Sequence, residues 1–380
     1  MIAIIHANMV TPSGDIAHDQ TILIEGTKFA GVGHDLAVPE HATILNAQGK
    51  VVTPGLIDVH THLGVHESGV GKEGSDFNET SNPVTPEVRA LDGLNPFESG
   101  FQDAIRSGVT TVQVLPGSAN VIGGEIVAVK TYGRIADDMV IQSPSGMKAA
   151  FGENPKRVHG STAVTRMGVA ARFRQAFQKA QDYLQSIESG EQKQRDLGME
   201  NLCKVLRGEI PLRAHAHRAD DIVTVLRLAD EFKLKVTLEH CTEGHLIADY
   251  VADKGVRVAV GPTMSSRSKV ELSNKSWETV IALANAGVPV SITTDHPVVS
   301  IEYLMTTVAT AVNHGLDENM AWLAVTLNAA KHIGIDERVG SIEVGKDADL
   351  VVWSGHPFDL RQRVEMTMID GRMVYEDKFL

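Results

Sequence analysis

The residues with most to offer chemically come early, in the stretch Val51-Val52-Thr53-Pro54-Gly55-Leu56-Ile57-Asp58-Val59-His60-Thr61-His62. Pro54-Gly55 marks a turn, a short apolar run follows, and it ends on two histidines spaced i, i+2. On a strand, residues two apart point to one side, so this spacing predicts two imidazoles facing one region of space. Neutral imidazole is the commonest protein ligand for transition metals, and two on one face make half a metal site. Three further groups of ligating type end strand-like runs downstream: His215, His240 and Asp295. Four imidazoles and a carboxylate exceed the three protein ligands of a typical catalytic zinc, so two metals can be held as well as one.

Residues so far apart meet only if the fold gathers the strand ends. The middle of the chain alternates strand-like and helix-like runs, the pattern of βαβ units and a parallel sheet. Candidate strands lie between the Pro54-Gly55 turn and His62, at 109–115, 125–130, within 139–151, and at 211–215, 235–239, 256–261 and 288–294. Candidate helices lie at 96–107, 163–187, 220–232, 301–314 and 318–333, with Asp220 or Asp221 as an N-cap. Phe173, Phe177, Ala180 and Leu184 fall at helical spacing and read as a core stripe. Eight strands in alternation predict a TIM-type (β/α)8 barrel over 51–339, with catalytic groups at the strand C-termini. Residues 64–95, rich in Gly, Ser, Asn and Pro, read as a cover over the site. Residues 1–50 and 340–380 carry short strands and turns instead, and predict one small β-sandwich domain built from both chain ends.

The ligating set, in its order, resembles the amidohydrolase superfamily. The motifs are Pro-Gly-Leu-Ile-Asp-Val-His-Thr-His at 54–62, His-Ala-His at 215–217, Leu-Glu-His at 238–240, Thr-Thr-Asp at 293–295 and Gly-Ser-Ile-Glu-Val-Gly-Lys-Asp-Ala-Asp-Leu at 340–350. Gly146-Met147-Lys148 and Gly-Glu-Asn-Pro-Lys-Arg at 152–157 are similar to one branch of its imidazolonepropionase-like members. The resemblance implies His60 and His62 on a more buried metal, and His215 and His240 on a second, with His217 as fallback ligand or substrate contact. On strand four it offers two carriers of a ligand. Lys148 serves only as an anionic carbamate, because an ammonium has no lone pair; Glu153 is a carboxylate already. If neither binds, a one-metal site remains.

The implied reaction is hydrolysis of a carbon–nitrogen bond (amide, N-acyl, dipeptide-like or cyclic amide) by metal-activated water, with Asp295 taking the water's proton and returning it to the leaving nitrogen. The alternative on the same scaffold is a mononuclear deaminase of a heterocycle, and a remoter one is a non-catalytic binding protein. Zinc is the default metal, and manganese, iron or cobalt suit the same ligands. Asn120, in a Gly-rich turn after strand two, and Arg157, beside strand four, are candidate substrate contacts with His217.

Composition narrows the setting. A net charge of −13 over 380 residues argues against a nucleic-acid surface, which needs clustered Lys and Arg. Two cysteines, Cys203 and Cys241, cannot make a disulfide framework and fit a reducing cytosol. The N-terminal residues lack the features of a signal peptide, and no apolar run reaches the length of a membrane span. The expected protein is therefore cytoplasmic, acts on a small molecule and, by the family resemblance, forms a homo-oligomer.

Overall fold

The computed structural model describes residues 1–191 and 194–377. Five strands open the chain: β1 (Ile2–Val10), β2 (Ile16–Glu25), β3 (Lys28–Gly33), β4 (Thr43–Asn46) and β5 (Val51–Pro54). Eight follow in the middle: β6 (Leu56–Thr61), β7 (Val109–Val114), β8 (Ile122–Lys130), β9 (Val140–Ala150), β10 (Leu212–Ala216), β11 (Val236–His240), β12 (Arg257–Val260) and β13 (Val290–Ile292). Three close it: β14 (Leu350–Trp353), β15 (Val364–Ile369) and β16 (Arg372–Glu376).

The two chain ends pair as one sheet in the order β16-β15-β14-β5-β1-β2-β3, with β4 also on β1. Its core is a single apolar cluster that includes Ile4, Ile22, Ile24, Phe29, Val52, Leu350 and Met368. In its hydrogen bonding the expected sandwich is thus one continuous sheet. It also takes in β5, which lies antiparallel on β14 with Val52 opposite Val352. The turn expected at Pro54-Gly55 separates β5 from β6 at Gly55, where a Cβ would meet the Thr110 side chain.

Strands β6 to β13 neighbour one another in chain order and make the barrel wall. All run parallel except β8, which is antiparallel to both β7 and β9. The strictly parallel barrel expected from strand–helix alternation is corrected here. A parallel neighbour needs a crossover of about a dozen residues or more. Residues 115–121 hold no helix, and 131–139 hold only the short helix Ala136–Met139, so the chain doubles back instead.

The ring is completed between β13 and β6 largely by side chains. The Asp58 carboxylate accepts from the hydroxyls of Thr293 (2.5 Å) and Thr294 (2.6 Å) and from the Thr294 N–H (3.1 Å). Just beyond, the His62 N–H donates to the His296 carbonyl at 2.8 Å. Burial raises the Asp58 carboxyl to about 6, against the pull of these donors.

The helix expected over 318–333 is two, Glu318–Ala324 and Leu327–Ile333. The break lies where the Val325 carbonyl turns aside to accept the Ile57 N–H of β6 at 2.9 Å. The second helix ends inside the barrel: Arg213 donates to the carbonyls of His332 (2.8 Å), Ile333 (3.1 Å) and Ser145 (3.1 Å). The long helix Arg166–Glu188 starts at Thr165, whose hydroxyl caps the Gly168 N–H, and packs Phe173 and Phe177 against Phe232. Neither Asp220 nor Asp221 is an N-cap. Their helix, Ala219–Phe232, begins after Arg218, and Asp221 is buried against Arg166 at 2.9 Å. No helix among the described residues is long and apolar enough to cross a membrane.

Candidate metal centre

The strand ends present five buried imidazoles and one carboxylate. His60 lies on β6 and His62 just beyond its end, His215 lies on β10 and His217 just beyond its end, His240 is the last residue of β11, and Asp295 comes just after β13. His240, Cys241 and Asp295 all have positive φ (73°, 47° and 52°), a conformation that L-residues avoid. On β11 this turn sends two consecutive side chains, Glu239 and His240, to the His60 side, where a regular strand would alternate them. Among the described residues, three of the four non-glycine residues with positive φ between β6 and β14 thus lie at this end of the barrel.

Each imidazole has its Nδ1 engaged. His60 Nδ1 lies 3.0 Å from Glu239 Oε2, His62 Nδ1 2.8 Å from the Leu115 carbonyl, and His240 Nδ1 2.7 Å from the Gly261 carbonyl. An ionised carboxylate and a carbonyl only accept, so these three rings carry a proton on Nδ1, which leaves Nε2 as the atom available to a metal. His215 Nδ1 meets the Ser118 hydroxyl at 2.9 Å and His217 Nδ1 the Thr242 hydroxyl at 2.7 Å. Burial pushes His60 down to about 3 and His215 and His217 well below the ordinary histidine value, and it lowers His240 as well. All four are therefore neutral, as a metal ligand must be.

The Nε2 atoms converge. Ligand atoms of His215, His217 and His240 lie within 4.8 Å of one another, as do those of His60, His240 and Asp295. Asp295 Oδ1 is 3.3 Å from His62 Nε2 and 3.7 Å from His60 Nε2. Donors at about 2.0–2.1 Å around a tetrahedral zinc are separated by roughly 3.4 Å, so these spacings suit one ion. The Nε2 atoms of His215 and His240 are buried without a hydrogen-bond partner, a costly state that a cation relieves. The donor set fits a divalent metal. Burial alone would raise Asp295, but the surrounding histidines hold it well below the usual carboxylate range, so it is anionic at neutral pH.

The other expected site residues fare differently. Lys148, on β9, is fully buried with Nζ 3.1 Å from His60 Nε2, and burial lowers its ammonium to about 8. Glu153 is not among these clusters: it sits on the short helix Glu153–Val158 and accepts from the Glu271 N–H at 3.4 Å. Arg157 is exposed on the same helix. Asn120 is spent on structure, donating to the Glu79 carbonyl (2.5 Å) and Thr85 (2.8 Å) and meeting His159 Nε2 at 2.8 Å. It thereby pins the 64–95 segment, which lays Phe77 on the His62 ring with 4.8 Å between centroids.

Two carboxylates escaped sequence reasoning. Glu239 holds His60 and, through its other oxygen, His332 Nε2 at 3.0 Å; its only signal was adjacency to His240. Glu271 is fully buried, with Oε1 3.7 Å from His217 Nε2 and 3.9 Å from His215 Nε2. It lies on the single turn Val270–Leu272, in a stretch with no pattern to mark it.

A family model described as "Amidohydrolase family" matches residues 51–374. The chain belongs to the amidohydrolase family. The enzyme class expected from the sequence comes with it, a hydrolase of carbon–nitrogen bonds, and so does the imidazolonepropionase likeness. A solved amidohydrolase from Thermotoga maritima MSB8 superposes with a TM-score of 0.96 at 41% identity, over 99% of this chain and 100% of that one. The amidohydrolase tasK of Hapsidospora irregularis is 30% identical over 90% of this chain, which spans only 38% of that protein's length. The imidazolonepropionase of Alkaliphilus oremlandii is 24% identical over 89% of this chain and 84% of its own.

Proposed function

We propose that this amidohydrolase is a cytosolic, metal-dependent enzyme that cleaves a carbon–nitrogen bond in a small amide, N-acyl, dipeptide-like or cyclic-amide substrate. The observation that carries this reading is the convergence of Nδ1-bonded imidazoles with Asp295 at one end of the barrel. His60, His62 and Asp295 would hold one divalent ion, with His215, His217 and His240 disposed to take a second. Zinc, manganese, iron or cobalt suits this donor set. Such an ion supplies a Lewis acid for the substrate carbonyl and lowers the pKa of its bound water.

The chain's own groups do the rest. Glu239 keeps the proton of His60 on Nδ1 and fixes the ring's orientation, as buried acceptors do for ligating histidines. The Asp295 carboxylate, 16% exposed, is the one acidic member of the set that reaches solvent. It would accept a proton from attacking water and pass it to the departing nitrogen. Phe77 and the 64–95 segment shield the His62 side from bulk water, which strengthens each of these interactions.

The test joins metal analysis of the purified chain to a substrate screen across dipeptides, N-acyl amino acids and cyclic amides. The expected result is bound divalent metal and release of an amine or ring-opened acid that Asp295→Asn slows by orders of magnitude. One ion per chain with ammonia release from a heterocycle would favour the deaminase alternative. Absence of bound metal together with unchanged hydrolysis in the Asp295 variant would overturn the proposal.

A further inference from the structure

We propose that Lys269 selects the substrate. Its ammonium, held beside the histidines at the mouth of the barrel, binds a substrate carboxylate, so the amide cleaved belongs to an N-acyl amino acid or a dipeptide with a free C-terminal carboxylate. This deepens the reading above and rests on it.

The ammonium is built into place. Lys269 lies in the connection between β12 and the helix Glu278–Asn285. Its Nζ stands 2.7 Å from Glu271 Oε1 and donates to Asn154 Oδ1 at 3.0 Å. Glu271 is fixed in turn by its other oxygen, Oε2, which accepts from the Glu153 N–H at 2.8 Å. Gly152, at φ +89°, permits that approach, since a Cβ there would stand 2.7 Å from Glu271 Oε2. The Gly-Glu-Asn run at 152–154, expected to supply a metal ligand, thus orders a lysine instead. A side chain already held in one position has less freedom left to lose when a ligand arrives.

Its position suits a carboxylate next to the scissile bond. Glu271 Oε1 is 3.7 Å from His217 Nε2 and 3.9 Å from His215 Nε2, so one carboxylate oxygen separates the ammonium from the candidate ligands. In an N-acyl amino acid the carboxylate follows the scissile amide by one residue step, about 3.8 Å between successive α-carbons. A substrate whose carbonyl meets the histidine cluster therefore carries its carboxylate into the range of Lys269.

The ammonium also has a donor to give. It carries three N–H groups, and Glu271 and Asn154 account for two. The side chain keeps 15% of its surface exposed, through which a carboxylate can make a charge-assisted hydrogen bond. Lys148, the other ammonium whose charge bears on His215 and His240, has no exposed surface to offer a substrate. Arg157, expected as a substrate contact, is exposed on the helix Glu153–Val158, and it is Asn154 of that helix that touches Lys269. Pairing with Glu271 offsets the cost of holding the ammonium out of water. Residues 261–277 carry Arg267, Lys269 and Lys275 against the single acid Glu271, in a chain of net charge −13. That local excess of positive charge draws anions to this side of the mouth.

The experiment measures kcat and KM for N-acetyl-L-amino acids and dipeptides, each beside its C-terminal carboxamide, on wild type, Lys269→Met and Lys269→Arg. Circular dichroism and metal content check the fold and the histidine site of each variant. Wild type should favour the acid over its carboxamide about 10²-fold in kcat/KM. Lys269→Met should erase that preference, chiefly by raising KM for the acid, and Lys269→Arg should restore part of it. If Lys269→Met does not fold, Lys269→Gln, which keeps a donor for Asn154, carries the test. Equal rates on acid and carboxamide in wild type, a preference that survives in Lys269→Met, or parallel losses on both substrates, the mark of a lysine that only props Glu271, overturn the inference. So does a metal-loaded wild type that turns over none of the acids, an outcome that leaves the metal-dependent reading standing. A chain that binds no divalent ion and hydrolyses neither class defeats that reading itself.

Discussion

Inside the barrel, Arg213, Glu239, His332 and Asp58 are sealed from solvent, and each is tied to named partners. In the sheet made from the chain ends, burial is achieved by Ile4, Ile22, Ile24, Phe29, Leu350 and Met368, which need only fill space. The first kind of interior is unforgiving, because a buried polar group without its partner costs its full desolvation. The second tolerates exchange of similar volumes. The contrast teaches where this protein spends stability on geometry: below the candidate metal centre, where Glu239 must hold His60, and along the β6–β13 seam, where Asp58 must hold Thr293 and Thr294.

The comparison can be broken or sharpened by substitution. The largest effect is expected at the mouth of the barrel, where Asp295→Asn should cut turnover about 10²–10⁴-fold with little change in melting temperature. Steady-state rates beside a thermal melt check this, and chelation of the metal should abolish activity in the same assay. Next comes Arg213→Met, which orphans three backbone carbonyls and leaves Glu239 without its nearby cation. Denaturant unfolding should show a loss of about 3–5 kcal/mol; a loss near zero would mean that the polar interior is no more demanding than the apolar one. Glu239→Gln should weaken metal binding about 10–100-fold, read by competition with a chromophoric chelator, since the His60 acceptor loses its charge. The smallest effect belongs to the terminal sheet: Ile22→Val should cost about 1 kcal/mol in the same unfolding assay and leave kcat unchanged.

Legibility in the sequence followed the range of the interaction. His60 and His62 could be read as a pair because two residues on one strand share a face whatever lies around them. The helix over Arg166–Glu188 was visible in the spacing of Phe173 and Phe177. Strand eight could be seen to end near Asp295, and the two β-rich chain ends could be seen to belong together. The direction of β8 could not be read from strand-and-helix alternation, because it depends on connection length between 115 and 121, not on side-chain period. Asn120 looked like a substrate contact because it sits in a Gly-rich turn. Its amide is in fact consumed by Glu79 and Thr85, partners that only the packed 64–95 segment supplies.

The sequence by itself determined which imidazoles and which carboxylate are candidate ligands, their place at strand ends and the alternation that makes a barrel, since these rest on local periodicity and on the chemistry of imidazole and carboxylate. Only the tertiary structure decided which carboxylates stand beside those imidazoles. Glu239 reaches His60 across 179 positions, and Glu271 faces His215 and His217 from an unpatterned turn, held there by Glu153 across 118. Such partners are chosen by where a closed barrel and its loops converge in space, and no local pattern along the chain encodes that convergence.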